Sequence, residues 1–383
     1  MLKLFTHSKP KKGRYCIESH SVDCSDQGAD FVEAKVDVKL DDLLSQRLNF
    51  KTEVLDDLIP CPLGALDEFN DPLLSVQVSA FSCGGFAIAV CSSHRIADMS
   101  TTMSLINVWT IAAKQELGYI DETCLSISFN FDSSSLFPLK MLPGLPSGLS
   151  RDKENIEVHK IVTKMFYFSK SKISSIRERA RLDDSSMLCT RVQSVFGLIG
   201  KAIIDVHVAN PENPKTFTLL QAVNMRKRTV PPLPQNQFGN LYLTAIVQSE
   251  VGTERVLALG SFVDCLSKAV KGVVDACGMI LSLGEEGQTM ISQGTCELMK
   301  SLSDPNIYFA GTFSSWCKFP FYEADFGWGK PIWVSIPNVP MKNTVVLIDD
   351  KAGEGIEAWV CMDENDMQKF IQHSDIADIL SEL

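Results

Sequence analysis

The stretch Ser92-Ser93-His94-Arg95-Ile96-Ala97-Asp98 decides the fold of the first half of the chain. Before it stand an alternating strand pattern at Ser75–Phe81, a turn signal at Cys83-Gly84-Gly85 and a short apolar run at Phe86–Cys91. After it, apolar residues fall on one face of a helix, at Met99, Met103, Ile106, Ala113 and Leu117. The pattern therefore predicts that His94 lies at a strand-to-helix junction, where a rigid core holds its backbone and its side chain faces a cleft.

The spacing of His94 and Asp98 has two interpretations. One is a core histidine beside an aspartate that caps the following helix. The other is a general base, because a histidine with a pKa near about 6.5 can take and return a proton at neutral pH. The spacing alone does not decide between them.

A second motif, Asp325-Phe326-Gly327-Trp328-Gly329, lies near the C-terminus. Its chance occurrence in a chain of this composition is on the order of 10⁻⁴. Together with the histidine motif it resembles the paired signature of the plant BAHD acyltransferases, which move an acyl group from an acyl-coenzyme A to an alcohol or amine. Further matching segments lie at Val223–Arg228, Pro231–Pro234, Phe238–Asn240 and Ser315–Pro320. The segments at Phe319–Ala324 and Gly355–Val360 resemble the alkaloid-acetylating branch of that family.

The resemblance implies an α/β fold of two domains, similar to chloramphenicol acetyltransferase, with mixed sheets and a cleft between the domains. The interleaved strand and helix patterns, with hairpin-like neighbours, independently favour mixed sheets over a doubly wound parallel sheet. We place the first domain at residues 1–133, a linker rich in Ser, Pro and Gly at 134–150, and the second domain at 151–383. Residues before about 60 look shorter than in the family, so an edge strand and an early helix are expected to be missing.

The resemblance also assigns roles to residues in the two motifs. His94 is expected to be the general base, and Asp98 to be structural, pointing away from the reacting centre. Asp325 is a family motif residue for which we favour a structural role in a tight turn with Gly327, Trp328 and Gly329. A buried carboxylate at Asp325 should have a cationic partner, and Arg226 is the candidate.

Two further sets of residues are candidates for binding the reactants. The indole of Trp316 or the hydroxyl of Ser314 could donate a hydrogen bond to the oxyanion, although Trp316 is equally well explained as a core residue. Phosphates of coenzyme A could meet Arg226, Lys227, Arg228 and Asn240, or these residues could form a solvated loop. No metal site and no permanently bound cofactor is expected, and acetyl-coenzyme A is the expected co-substrate.

Composition restricts the function and the partners. A net charge of −11 argues against a nucleic-acid partner or an anionic membrane, and no apolar run reaches the length of a membrane span. The 12 cysteines lack paired metal spacing, which favours reduced thiols in the cytoplasm. We therefore expect a cytoplasmic monomer that transfers acetyl to a hydroxyl of an alkaloid or related plant metabolite. The alternatives are a carrier-protein-dependent transferase and a catalytically impaired homologue that only binds a ligand because its first part is missing.

Overall fold

The structure, a computed structural model of the chain, describes residues 14–16, 21–23, 28–45, 52–63, 72–119, 129–137, 160–181, 189–210, 212–214, 216–250 and 258–381. The part of the predicted linker beyond residue 137 lies outside these ranges, as do most of the basic residues at 9–14. The domain boundary itself stays a prediction.

The first part of the chain forms two small sheets and short helices around one long helix. Strands β1 (Arg14–Cys16) and β2 (Ser21–Asp23) make an antiparallel pair. Strand β3 (Asp30–Val36) runs parallel to β4 (Leu74–Phe81), which pairs antiparallel with β5 (Phe86–Ser92). The helices are α1 (Leu40–Leu44), α2 (Glu53–Asp56), α3 (Met99–Glu116) and α4 (Ser133–Leu136).

A six-stranded sheet dominates the rest of the chain. Its strands are β6 (Ile161–Phe168), β7 (Thr216–Asn224), β8 (Tyr242–Glu250), β9 (Ile307–Ser315), β10 (Thr344–Asp349) and β11 (Ile356–Asp363). Their order is β6-β11-β10-β9-β7-β8, with parallel pairs at β10–β9 and β9–β7 and antiparallel pairs elsewhere. Both larger sheets contain parallel and antiparallel pairs, as predicted.

The helices of this second part are α5 (Lys170–Arg179), α6 (Arg191–Val208), α7 (Leu259–Ile280), α8 (Glu285–Ser303), α9 (Glu364–Gln372) and α10 (Ser374–Leu380). Ser169 caps α5 through its hydroxyl, and Thr190 and Gln193 form a capping box on α6. One face of the six-stranded sheet packs against α5, α6, α7, α9 and α10 in the largest apolar core.

The other face of the sheet packs against the first part of the chain. The contact is a second apolar cluster, which we call the interdomain cluster. It joins residues of the first part, including Val36, Leu55 and Phe81, to sheet residues, including Val346 and Trp359. Apolar contact therefore holds the two parts together along one side of the sheet.

Two sequence predictions differ from the structure. Of the five residues predicted on the buried face of α3, only Met103 is fully buried; Leu117 is 53% exposed. The other buried positions of α3 are Ser100, Thr101, Thr102 and Thr110. Ser100 and Thr101 are buried in polar contacts with Gln235 and Gly239 of the second part. The apolar run at Ile332–Ser335 predicts a further strand, but this segment pairs with no strand in the part of the chain that the structure describes. Trp333 and Val334 instead pack against the interdomain cluster.

Candidate active site

His94 lies in a turn between the end of β5 and the start of α3. The turn is closed by the backbone N–H groups of Ile96 and Ala97, which donate to the carbonyl of Ser93. The His94 side chain is exposed. This arrangement matches the predicted strand-to-helix junction and argues against a core histidine, because a core histidine would be buried.

Asp98 faces away from His94 and into a buried ion pair. Its Oδ1 accepts from the backbone N–H of Thr101 at 2.8 Å and caps α3, while Oδ2 accepts from the N–H of Leu241 at 3.0 Å. The guanidinium of Arg226 contacts both oxygens, with Nη1–Oδ2 at 2.7 Å and Nη2–Oδ1 at 3.1 Å. Because both oxygens are occupied in this way, Asp98 does not hold the imidazole as the aspartate of a catalytic triad does.

Arg226 has no exposed side-chain surface and donates to several further acceptors. Its Nη2 lies 2.9 Å from the carbonyl oxygens of Gln237 and Gly239 and 3.0 Å from the hydroxyl of Thr101. A buried guanidinium is stable only when its donors are paired, and these bonds satisfy that requirement. The prediction that Arg226 pairs with Asp325 is therefore wrong, because its partner is Asp98.

The segment 237–242 holds the histidine turn from the second part of the chain. The Nδ2 of Asn240 donates to the backbone carbonyl of His94 at 2.6 Å. The ring of Tyr242 meets the His94 ring edge-on, with centroids 6.1 Å apart. The hydroxyl of Thr101 donates to the carbonyl of Gly239 at 2.9 Å. His94 thus follows a strand of one sheet and is held by residues that precede and begin the edge strand of another.

The aspartate motif lies at the opposite end of α3. The Oδ1 of Asp325 accepts from the backbone N–H groups of Gly327 at 2.9 Å and Gly329 at 3.0 Å, and these bonds lower the pKa of the carboxyl. The ring of Phe326 packs edge-on against Trp109, with centroids 4.7 Å apart, and that of Trp328 against Phe86 at 5.3 Å. The carboxylate of Asp325 therefore organises a turn.

The turn at Asp325 lies away from His94, as the geometry of the elements shows. A Cβ on Gly327 would lie 2.9 Å from Leu117, just beyond the last residue of α3. Leu117 is 19 residues after Asp98, which corresponds to about 28 Å of helix. Phe86 begins β5, about 20 Å of strand before Ser92 at its other end. The motif therefore packs against parts of α3 and β5 that lie away from His94.

Trp316 and Ser314 lie at the end of β9 in the six-stranded sheet. Ser314 pairs in register with Val346 of β10, and both it and Trp316 are half-buried. The backbone N–H of Trp316 donates to the carbonyl of Leu347 at 2.8 Å, and its ring packs against the interdomain cluster. The sheet thus places both side chains beside the contact between the two parts of the chain.

The predicted coenzyme A contacts divide into two groups. Arg226 cannot reach a phosphate, because it is buried with its donors already paired, and the amide Nδ2 of Asn240 is bonded to His94. Lys227 and Arg228 are exposed, and Arg228 donates to the carbonyl of Asn224 at 2.7 Å. Only Lys227 and Arg228 remain as candidates for an anionic ligand.

Tyr242 is a residue that the sequence analysis missed. It lies two residues after Asn240, so the only available signal was its closeness to a segment already matched to the family. Among the described residues, no group of three or more His, Cys, Asp and Glu side chains is placed to bind a metal ion. In the same ranges, every helix is too short or too polar to cross a lipid bilayer.

Comparisons with a family model, with known sequences and with solved structures all point to one family. The model of the Transferase family matches residues 12–376. A malonyltransferase of Salvia splendens, pelargonidin 3-O-(6-caffeoylglucoside) 5-O-(6-O-malonylglucoside) 4'''-malonyltransferase, is 33% identical over the whole chain and 87% of its own length. Stemmadenine O-acetyltransferase of Catharanthus roseus is 31% identical over 95% of the chain and 80% of its own length.

Vinorine synthase of Rauvolfia serpentina is similar in both sequence and structure. It is 33% identical over 95% of the chain and 80% of its own length. The crystal structure of vinorine synthase superposes with a TM-score of 0.74 at 30% identity, covering 93% of this chain and 78% of that one. The two-domain fold similar to chloramphenicol acetyltransferase is thereby established, and the chain belongs to the Transferase family, that of the BAHD acyltransferases, as an enzyme that uses an acyl-coenzyme A.

Proposed function

We propose that this enzyme is an O-acetyltransferase that moves acetyl from acetyl-coenzyme A to a hydroxyl of an alkaloid or related plant metabolite, with His94 as the general base. The observation that carries the proposal is the exposed imidazole of His94, in a turn that Asn240 and the Asp98–Arg226 pair hold from both parts of the chain. A base that is exposed and has a fixed backbone can meet a diffusing alcohol in a defined orientation.

The proposed reaction needs no nucleophile from the protein. His94 takes the proton of the acceptor hydroxyl while the hydroxyl oxygen attacks the thioester carbonyl carbon. The tetrahedral intermediate then collapses, the carbon–sulfur bond breaks and the thiolate of coenzyme A leaves. The imidazolium of His94 returns the proton to that thiolate, so the enzyme ends in its starting state.

Trp316 and Ser314 are the proposed donors to the oxyanion of that intermediate. Their place beside the contact of the two parts supports this role, since both parts then contribute to one cleft. Such a donor lowers the barrier because it acts where negative charge develops in a region that excludes water.

Lys227 and Arg228 are the proposed contacts for the phosphates of coenzyme A. Both are exposed and follow Arg226 in the chain, so they stand beside the buried pair that holds the histidine turn. Their positive charge gives the local attraction that an anionic co-substrate needs in a chain of net charge −11.

The names of the relatives support an alkaloid as the acceptor, and they leave acetyl- and malonyl-coenzyme A as donors to compare. Stemmadenine O-acetyltransferase is named for O-acetylation of stemmadenine, whereas the Salvia enzyme is named as a malonyltransferase. The match to vinorine synthase and the segments Phe319–Ala324 and Gly355–Val360 favour the alkaloid-acetylating branch. A site in which Asn240 of the second part bonds His94 of the first part of the same chain agrees with a monomeric enzyme.

The decisive experiment is a screen with two donors and two acceptor classes. Purified enzyme receives acetyl- or malonyl-coenzyme A together with stemmadenine, other alkaloid alcohols or anthocyanin glucosides, and free coenzyme A and the ester are measured. The proposal expects ester formation with acetyl-coenzyme A and an alkaloid alcohol, abolished in His94→Ala. Transfer of malonyl to glucosides alone would overturn the donor and the acceptor, and full activity in His94→Ala would overturn the base.

A further inference from the structure

The exposed His94 ring needs a neighbour that sets its orientation. Its turn is closed by two long backbone hydrogen bonds, of 3.2 and 3.3 Å, to the carbonyl of Ser93. Asp98, the nearest carboxylate along the chain, is bonded elsewhere. An exposed side chain samples several rotamers, and each rotamer places the basic nitrogen differently toward an acceptor.

Two residues that approach the turn from the second part of the chain contact His94. Asn240 bonds the backbone carbonyl at 2.6 Å, and the ring of Tyr242 lies edge-on to the imidazole, at 6.1 Å between centroids and 68° between planes. Between them, Leu241 is buried and its N–H donates to Asp98. Alternation along an extended chain puts residues 240 and 242 on one side and residue 241 on the other.

The backbone of Tyr242 is fixed by its strand. It is the first residue of β8 and pairs with Asn224, whose side-chain oxygen accepts from the backbone N–H of Arg226 at 3.0 Å. The ring that meets His94 is therefore tied, through Asn224, to the residue that forms the buried ion pair. The side chain is partly covered, with 38% of its surface exposed.

The phenol of Tyr242 stays neutral at the pH where an imidazole works. Burial and then the negative charge of Asp98 raise its pKa above the ordinary value. A neutral tyrosine ring contacts the imidazole through its shape and its edge-to-face packing. It lacks the negative charge of a phenolate, which would attract the protonated imidazole more strongly than the neutral one. Such a neighbour can orient His94 in both of its protonation states.

We propose that Tyr242 is a positioning residue for the reaction, whose ring fixes the orientation of the His94 imidazole toward the acceptor. This inference rests on the proposed role of His94. It concerns the aromatic ring and not the hydroxyl, so Phe should replace Tyr and an aliphatic side chain should not.

The test compares Tyr242→Phe, Tyr242→Leu and a matched control, Gln248→Leu. Gln248 is exposed on the same face of β8, six residues and about 20 Å along the strand. Activity is measured with acetyl-coenzyme A and the alkaloid alcohol that gives the fastest ester formation in the screen. Tyr242→Leu should lower kcat by about tenfold or more, because small misplacements of reacting groups cost up to about 10²-fold. The KM for acetyl-coenzyme A and the unfolding temperature should hardly change, and Tyr242→Phe and Gln248→Leu should stay near wild type.

A second readout does not depend on turnover. With ¹³C-labelled histidine, the ring signal of His94, identified by its loss in His94→Ala, should shift in Tyr242→Leu and not in Gln248→Leu. Wild-type kcat in Tyr242→Leu would overturn the inference, as would an unshifted His94 signal. If His94→Ala is itself fully active, the proposed base fails instead, and the two failures are thereby distinguished.

Discussion

Removal of the Asp98 carboxylate should destabilise the protein strongly even though the residue belongs to the histidine motif. Asp98→Ala leaves the Arg226 guanidinium with no exposed surface and without its counter-charge. Breaking one side of a buried pair costs about 3–5 kcal/mol. Loss of the cap on α3 adds about 1 kcal/mol. The free energy of unfolding should therefore fall by about 4–6 kcal/mol, a large part of the roughly 5–15 kcal/mol that an ordinary domain has.

Three companion variants separate the two contributions. Asp98→Asn keeps an oxygen for the Thr101 N–H but removes the charge, so it should lose the pair and keep the cap. Arg226→Met removes the buried cation, and the double variant Asp98→Ala/Arg226→Met should be more stable than Asp98→Ala alone, because no charge is then stranded.

Urea unfolding followed by fluorescence of the five tryptophans measures these differences. Since the chain has two domains, midpoints are compared between variants whose transitions have the same slope. An Asp98→Ala protein that unfolds within about 1 kcal/mol of wild type but has lost activity would refute the structural role and indicate that the carboxylate acts in the reaction.

The remaining predictions concern His94 and the turn at Asp325. His94→Ala should lower kcat by about 10²–10⁴ while the unfolding temperature stays unchanged, because the side chain is exposed; a rate above a third of wild type would contradict the role as base. Asp325→Asn should lower the unfolding temperature near pH 7. Because a lowered carboxyl pKa stabilises the folded state only while the carboxyl is ionised, this difference from wild type should disappear as the pH falls through the pKa of Asp325. A difference in unfolding temperature that persists in acid would exclude the charge of Asp325 as its cause. Gly327→Ala should destabilise the protein more than Gly329→Ala. Both glycines have positive φ, but of the two only Gly327 would place a Cβ 2.9 Å from Leu117 and Tyr119. Equal melting temperatures of the two variants would contradict the packing of the turn.

Local signals in the sequence predicted local structure well. The alternating pattern of residues 30–36 predicts a strand, which is β3 (Asp30–Val36), and the type of Ser169 predicts a helix cap, which it forms on α5. In such cases interactions between residues close in the chain determine the local conformation. Examples are burial of one face of an alternating strand and a hydroxyl that caps the first turn of a helix. The strand-to-helix junction at His94 belongs to the same class, because it depends on the strand before it and the helix after it. The bond from Asn240 that holds this turn comes from a distant segment and has no such local signal.

Contacts between distant segments explain where the sequence failed. Arg226 and Asp98 are 128 residues apart, and nothing near either residue distinguishes this pairing from one with Asp325. No local pattern predicts helix α8, because Gly287 and Gly294 interrupt a segment of low apolar content. Ile332, Trp333 and Val334 form a short apolar run typical of a strand, yet Pro331 and Pro337 flank it. Trp333 and Val334 pack against the interdomain cluster, and the segment pairs with no strand among the described residues.

The contacts that join the two halves of the molecule also limit how the halves can move. To open like a clamshell, the halves would have to separate Arg226 from Asp98, break the bond from Asn240 to His94 and expose Val346 and Trp359 to water. Each of these changes is unfavourable, so we expect the two halves to keep the same relative position through the catalytic cycle. The fixed spacing of the halves, and not a closing motion, should then limit the size of the acceptor.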